Sequence, residues 1–157
     1  MASACLPYLR SVRIFMAPVS KSGNNRRRGV KPLTDEDIVH EYFRLIKAQD
    51  LYGLLDLFTN DGVIYEPFSR SEGLQGKSAI EPFLNVAMMA NAGLREEIEI
   101  EKPRLRRDNG INKVTAYVTF ERGEKVKARF TFELSSKENY NSQKQKKIQS
   151  LHLQFVE

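Results

Sequence analysis

The segment Asp61-Gly-Val-Ile-Tyr-Glu-Pro67 contains the side chain best placed for chemistry. Read as a strand over Val63 to Phe68, it puts Ile64, Glu66 and Phe68 on one face and Val63 and Tyr65 on the other. A carboxylate flanked by apolar neighbours loses water, which disfavours its charged form and suits it to general-base work near neutrality. Glu66 therefore has three open roles. It can transfer a proton, orient a bound ligand, or act structurally as a solvated rim residue or a partner of Arg70 or Arg129. His152 alternates with Leu151 and Leu153 and so points to the opposite face, at the surface or an interface. His40 falls on the polar side of a helix beside Glu41 and Arg44 and gains no role. The cluster from Glu101 to Asp108 reads as a solvated strand end and turn, without the Gly-rich cradle that phosphate binding needs.

Other chemistries are excluded or unsupported by composition. The lone cysteine, Cys5, rules out an intrachain disulfide framework and a thiolate zinc site, and two histidines alone do not make a zinc site. No metal site is expected, and no cofactor.

The net charge of +5 invites a nucleic-acid reading, and its distribution argues against one. Seven basic residues (Arg10, Arg13, Lys21, Arg26, Arg27, Arg28, Lys31) precede the first carboxylate, Asp35. Removing those seven from 25 leaves 18 basic against 20 acidic side chains in the remaining 123 residues, a net of −2. Residues 1–33 read as a disordered basic extension, too polar to offset the entropy of ordering, and residues 34–157 as one folded domain. The extension is a plain tail, with Met16 an alternative start, an organellar transit peptide, or a tether to RNA or lipid. The expected location is cytoplasmic, with organellar import as the alternative. The apolar segment Cys5 to Val19 is broken by Arg10 and Arg13 and is shorter than the roughly 20 residues of a membrane span, so no transmembrane segment is expected.

The domain begins at a capping signature, Thr34-Asp-Glu-Asp37, followed by an amphipathic helix over Asp35 to Ala48 with Ile38, Val39, Tyr42, Phe43, Leu45 and Ile46 inward. Tyr42 there is first of all a core residue. Asp50 starts a short second helix, which Thr59-Asn-Asp-Gly62 ends as a turn. After the strand, a polar loop from Ser69 to Gly76 leads to a third helix carrying Ile80, Phe83, Leu84, Ala87 and Met88. From Glu97 onward the period is two, in four alternating segments: Glu97–Glu101, Val114–Phe120, Val126–Leu134 and Ile148–Phe155. Asp108-Asn-Gly110, Arg122-Gly123 and the polar run Ser135 to Lys147 connect them. Three helices and a strand followed by an antiparallel meander define an α+β class.

This order, together with Asp61-Gly-Val-Ile-Tyr-Glu-Pro67 and Gly73-Leu-Gln-Gly76-Lys-Ser-Ala-Ile-Glu-Pro-Phe83, resembles the nuclear transport factor 2-like superfamily over residues 34–157. Within it the chain is most similar to the SnoaL-like polyketide cyclase and ketosteroid isomerase branch. The resemblance implies a cone-shaped, curved, mainly antiparallel sheet wrapped around three N-terminal helices, the cystatin-like α+β roll, open at one end onto an apolar pocket. It also implies catalytic roles for Glu66, as a proton-moving carboxylate before a proline, and Tyr42, as an oxyanion donor. The isomerases' second donor, an Asp, is replaced here by Phe132, which argues against steroid isomerisation itself. The Arg-x-Asp of the limonene-epoxide-hydrolase branch is absent, since Thr131 follows Arg129.

On the family pattern Ile64, Phe68, Phe83, Met88, Phe130, Phe132, Leu134, Leu151, Leu153 and Phe155 line the pocket, or fill it. The expected partner is a small hydrophobic molecule, taken up by binding or by isomerase-, cyclase- or dehydratase-type proton transfer. The alternative is a non-catalytic association module whose outer sheet face, including Tyr117, Arg129 and His152, forms a homodimer or holds a protein partner.

Overall fold

A computed structural model describes residues 33–68, 72–101, 111–138 and 144–157. The expectations for residues 1–32, Arg70, the Lys102–Asp108 part of the charge cluster and the Asp108-Asn-Gly110 turn lie outside the described residues.

Helix α1, Asp35–Ala48, starts as the capping signature requires: the Asp37 amide donates to the Thr34 hydroxyl at 3.2 Å and the Thr34 amide donates to the Asp37 carboxylate at 2.7 Å. The six apolar positions expected to face inward are all buried. Helix α2, Leu51–Leu57, is capped by Asp50, whose carboxylate accepts from the Gly53 amide at 2.9 Å. Strand β1 spans Phe58–Tyr65, β2 Leu74–Gln75, helix α3 Lys77–Asn91, and β3 Arg95–Glu101, β4 Ile111–Arg122, β5 Glu124–Glu138 and β6 Lys144–Val156 follow.

The six strands form one open, curved sheet in the order β2-β1-β6-β5-β4-β3, antiparallel throughout except where β1 runs parallel to β6. The expected α+β arrangement of three helices and a mainly antiparallel sheet is what the chain adopts.

Three local expectations are corrected. Thr59-Asn-Asp-Gly62 does not end an element, because Phe58 and Thr59 are buried and the segment is held inside β1 as an irregularity: Phe58 pairs with Ile148 while Val63 pairs with Ser150. The loop before α3 contains a short strand, with Leu74 and Gln75 paired to Ile64 and Val63. The polar connection after Leu134 is mostly ladder, since Ser135 to Glu138 pair with Lys147 to Lys144.

Alternation on the long strands determines where the core lies. Val114, Ala116 and Val118 of β4 oppose Phe132, Phe130 and Ala128 of β5, which in turn oppose Leu151, Leu153 and Phe155 of β6. This face meets the helices, and Tyr42, Phe43, Phe58, Phe130 and Phe132 form a cluster of edge-to-face pairs, with Phe130 stacked on Phe132, at centroid separations of 5.1–6.5 Å. Such pairs contribute about 0.5–1.5 kcal/mol each beyond their buried area. The opposite face carries Thr115, Tyr117, Thr119, Arg129, Glu133, Gln154 and His152. Polar contacts tie it together: Arg129 donates to Gln154, and the Ser150 hydroxyl donates to Glu133 at 2.6 Å.

Candidate functional site

Beyond the aromatic cluster the concave face is left unfilled. Helix α3 presents Ala87 and Ala90, one turn apart, toward the part of the sheet where β5 carries Ala128, and the missing bulk leaves a cavity of about 530 Å³ open at one side. That volume lies within the roughly 300–1,000 Å³ range of sites for small molecules. Phe83, Leu94, Phe120, Val126, Phe130 and Leu153 form its apolar wall. Phe130 is the partition, because it packs edge-on against Phe43 at 5.1 Å on the core side and lines the cavity on the other.

The lip carries the exposed aromatics. Phe68 is 78% exposed and Phe155 58%, with ring centroids 6.1 Å apart. Glu66, half-buried, follows the last residue of β1, and Pro67 biases it toward extended backbone, so the strand's alternation carries through to it. It lines both the cavity and a more polar groove that runs past Tyr65, His152 and Gln154. His152 points away from the core, as expected, and stacks on Tyr65 with centroids 4.2 Å apart.

The far end of the cavity is built by the β4–β5 turn. Gly123, at φ 84°, permits the tight reversal that sets Arg122 opposite Glu124. Arg122 donates from Nη2 to the carbonyls of Ala90 at 3.1 Å and Ala92 at 3.0 Å, fastening the end of α3 to the sheet, while the Asn91 side chain donates to the Ala87 carbonyl at 2.7 Å.

Of the residues expected to form the site, the structure brings Glu66, Phe68, Phe83, Phe130, Leu153 and Phe155 together around this cavity. Tyr42, Ile64, Met88, Phe132, Leu134 and Leu151 are placed in the core, at 5% exposure or less, where α1 packs on the sheet and Met88 is buried from α3. Tyr42 and Phe132 pack on each other at 5.5 Å, and burial pushes the Tyr42 phenol well above its ordinary pKa. The sequence reading missed Ala90, Ala128, Arg122 and Glu124 as cavity residues. For Ala90 and Ala128 the available signal was a small side chain at an inward-facing position; Arg122 and Glu124 carried none.

Among the described residues no group of three His, Cys, Asp or Glu side chains is arranged to hold a metal ion, and no helix is long and apolar enough to cross a membrane.

Comparison with known proteins bears on the fold. No protein-family model matches the chain, and no curated protein matches it. Solved structures do. A ketosteroid isomerase-like protein from Erwinia carotovora atroseptica superposes with a TM-score of 0.60 at 14% identity, over 78% of this chain and 93% of that one. A protein named for the association domain of calcium/calmodulin-dependent protein kinase type II, from Thiobacillus denitrificans, gives 0.60 at 11% identity over 80% and 98%. The epoxide hydrolase/cyclase-like enzyme SalBIII, which acts in pyran ring formation in polyether salinomycin, gives 0.52 at 19% identity over 77% and 89%. The domain has the nuclear transport factor 2-like fold.

Proposed function

We propose that this domain binds a small hydrophobic molecule in the cavity between α3 and the β4–β6 face, with Glu66 as its polar anchor at the lip. The observation that carries this reading is the cavity itself: about 530 Å³, walled by aromatic and aliphatic side chains, with few polar groups at its two ends. Burying a ligand's apolar surface there supplies affinity at roughly 25 cal/mol per Å², and a half-buried carboxylate supplies orientation. Glu66 is also the group that would accept a proton from a bound ligand. The isomerase-type partnership with Tyr42 is disfavoured by the packing of Tyr42 on Phe132 in the core. SalBIII and the Erwinia protein support a SnoaL-like ligand site by analogy of fold alone.

The test is Nile red fluorescence together with native mass spectrometry of the purified chain. Wild type takes up the dye or retains a hydrophobic molecule from expression. The double variant Ala87→Leu/Ala90→Leu, which fills the cavity, weakens uptake at least about tenfold, the effect expected when a ligand's apolar contacts are sterically blocked. Equal uptake by both proteins contradicts the reading.

A second reading is favoured by the Thiobacillus association-domain structure: homodimerisation through the outer sheet face that carries Tyr117, Arg129 and His152. Sedimentation of the chain and of Tyr117→Asp tests it, with a dimer that the variant dissociates as the supporting result and a monomeric wild type as the opposing one.

A further inference from the structure

We propose that Arg122 sets the length of hydrophobic molecule the cavity accepts, by holding the C-terminal end of α3 in place over the sheet. This rests on the ligand-binding reading above and names the residue that decides which ligands fit.

Helix α3 is anchored unevenly. Its buried side chains are Ile80, Leu84 and Met88, on successive turns, and beyond Met88 none is buried: Met89 is 63% exposed and Ala90 is exposed as well. The last turn, which reaches the cavity through Ala90 and Asn91, is therefore not positioned by packing. The chain then passes through Ala92, Gly93 and Leu94 into β3. Gly93 sits at φ 75° with no atom within 4 Å of where a Cβ would stand, so no neighbour among the described residues braces the link at that point.

Hydrogen bonds do the positioning. A helix leaves its last four carbonyls without partners of its own and collects about half a negative charge at that end. Helix α3 carries no basic residue in its last turn to meet that charge. The Asn91 side chain satisfies the Ala87 carbonyl from within the helix, whereas Arg122 reaches from β4 to the carbonyls of Ala90 and Ala92 at 3.1 and 3.0 Å. Strand β4 lies beside β3, so α3 is tied to the edge strand by its own chain and, one strand further in, by Arg122. The second tie fixes how the helix end lies over the sheet, and the same side chain lines the cavity at the β4–β5 turn. Because Arg122 is exposed, water competes for these bonds and they add little to global stability. Their consequence is the position of the cavity's end wall. A ligand that outgrows the cavity has to displace that wall, so affinity should rise with ligand length only as far as Arg122.

The experiment is Nile red displacement from the full chain by straight-chain primary alcohols, hexanol to dodecanol, for wild type, Arg122→Met and Arg122→Lys. Methionine keeps an apolar stem without a donor, and lysine keeps a charged donor. In wild type, affinity should rise about three- to fourfold per added methylene and level off once the chain reaches Arg122. In Arg122→Met the rise should continue, so that the longest alcohols bind about tenfold or more tighter than to wild type while the shorter ones bind equally. Arg122→Lys should restore the levelling-off. A purely structural Arg122 would weaken all alcohols alike in the methionine variant and leave the levelling-off at the same length. That result overturns the proposal, as does an affinity that climbs without limit in wild type. Should Arg122→Met fold poorly, amide NMR of wild type decides: alcohols of the limiting length should shift Ala90, Ala92, Gly93 and Arg122, and shorter ones should not. Absence of those shifts at every length, with Nile red still displaced, overturns the role of Arg122 and leaves a hydrophobic site in place. Failure of Nile red and of every alcohol to bind overturns the ligand-binding reading as well.

Discussion

The concave face of the sheet is one surface with two halves that behave differently. Under α1, Phe132 packs on Tyr42 and Phe43 and, with Leu151 and Phe58, is lost from solvent; under the end of α3, Phe120 and Phe155 belong to the same face and remain lining a void. The strands are continuous across both halves and supply aromatic side chains to both. The difference comes from what the helices bring. Helix α1 contributes two aromatic rings to the packed half, whereas α3 lines the open half with Phe83 and Val86 but also with the small side chains of Ala87 and Ala90. The sheet is therefore packed solid at one end and left with a cavity at the other.

Substitutions in the two halves should differ in their effects. The largest effect belongs to the filled half: Phe132→Ala should lower unfolding free energy by about 3–5 kcal/mol in denaturant titrations, as for other fully buried phenylalanines. A loss below about 1 kcal/mol would mean that this half is loosely packed.

The same half should respond to alkali. Tyr42 is fully buried and its phenol is held protonated above the ordinary value near 10. A raised folded-state pKa gives stability that is complete below the unfolded pKa and is lost as pH rises above it, at up to about 1.4 kcal/mol per pH unit. Wild type should therefore lose stability more steeply than Tyr42→Phe above about pH 10, the unfolded value for tyrosine. Parallel curves would contradict the burial argument.

Changes in the open half should have smaller consequences for folding. Ala87→Leu/Ala90→Leu adds bulk to a void, and its stability should stay within about 1 kcal/mol of wild type, whereas the same change forced into a packed core costs typically 1–3 kcal/mol. The smallest effect is that of Phe68→Ala at the lip, expected within about 0.5 kcal/mol of wild type because little of the ring is buried, with a measurable loss of Nile red affinity.

How much of this was legible in the sequence follows from the same division. The helical spacing of α1 and the alternation of β4, β5 and β6 are local patterns, and they correctly assigned which side chains turn inward. They also put Glu66 beside Ile64 and Phe68. They do not reveal how far along the face each helix reaches, because that depends on tertiary placement, and the family pattern alone makes Met88, Phe132 and Leu151 one pocket lining with Phe83 and Phe155. Arg122 and Glu124 were invisible as site residues for a related reason. They sit at a turn, where polar residues are expected, and only the approach of the α3 end makes them part of a cavity. The irregularity in β1 was concealed by its own chemistry, since Asn60-Asp61-Gly62 is a turn sequence that burial of Phe58 and Thr59 draws into a strand.

The open half of the concave face is proposed to be a ligand site. NMR titration of the methyl- and amide-labelled chain with Nile red tests this most directly. Saturable shifts confined to Val86, Ala87, Leu94, Val126 and Leu153, with the core methyls of Ile38, Ile64 and Leu151 unmoved, are the predicted result. Shifts that map instead to Tyr117, Arg129 and His152 on the outer face, or no saturable shift at all, would contradict it.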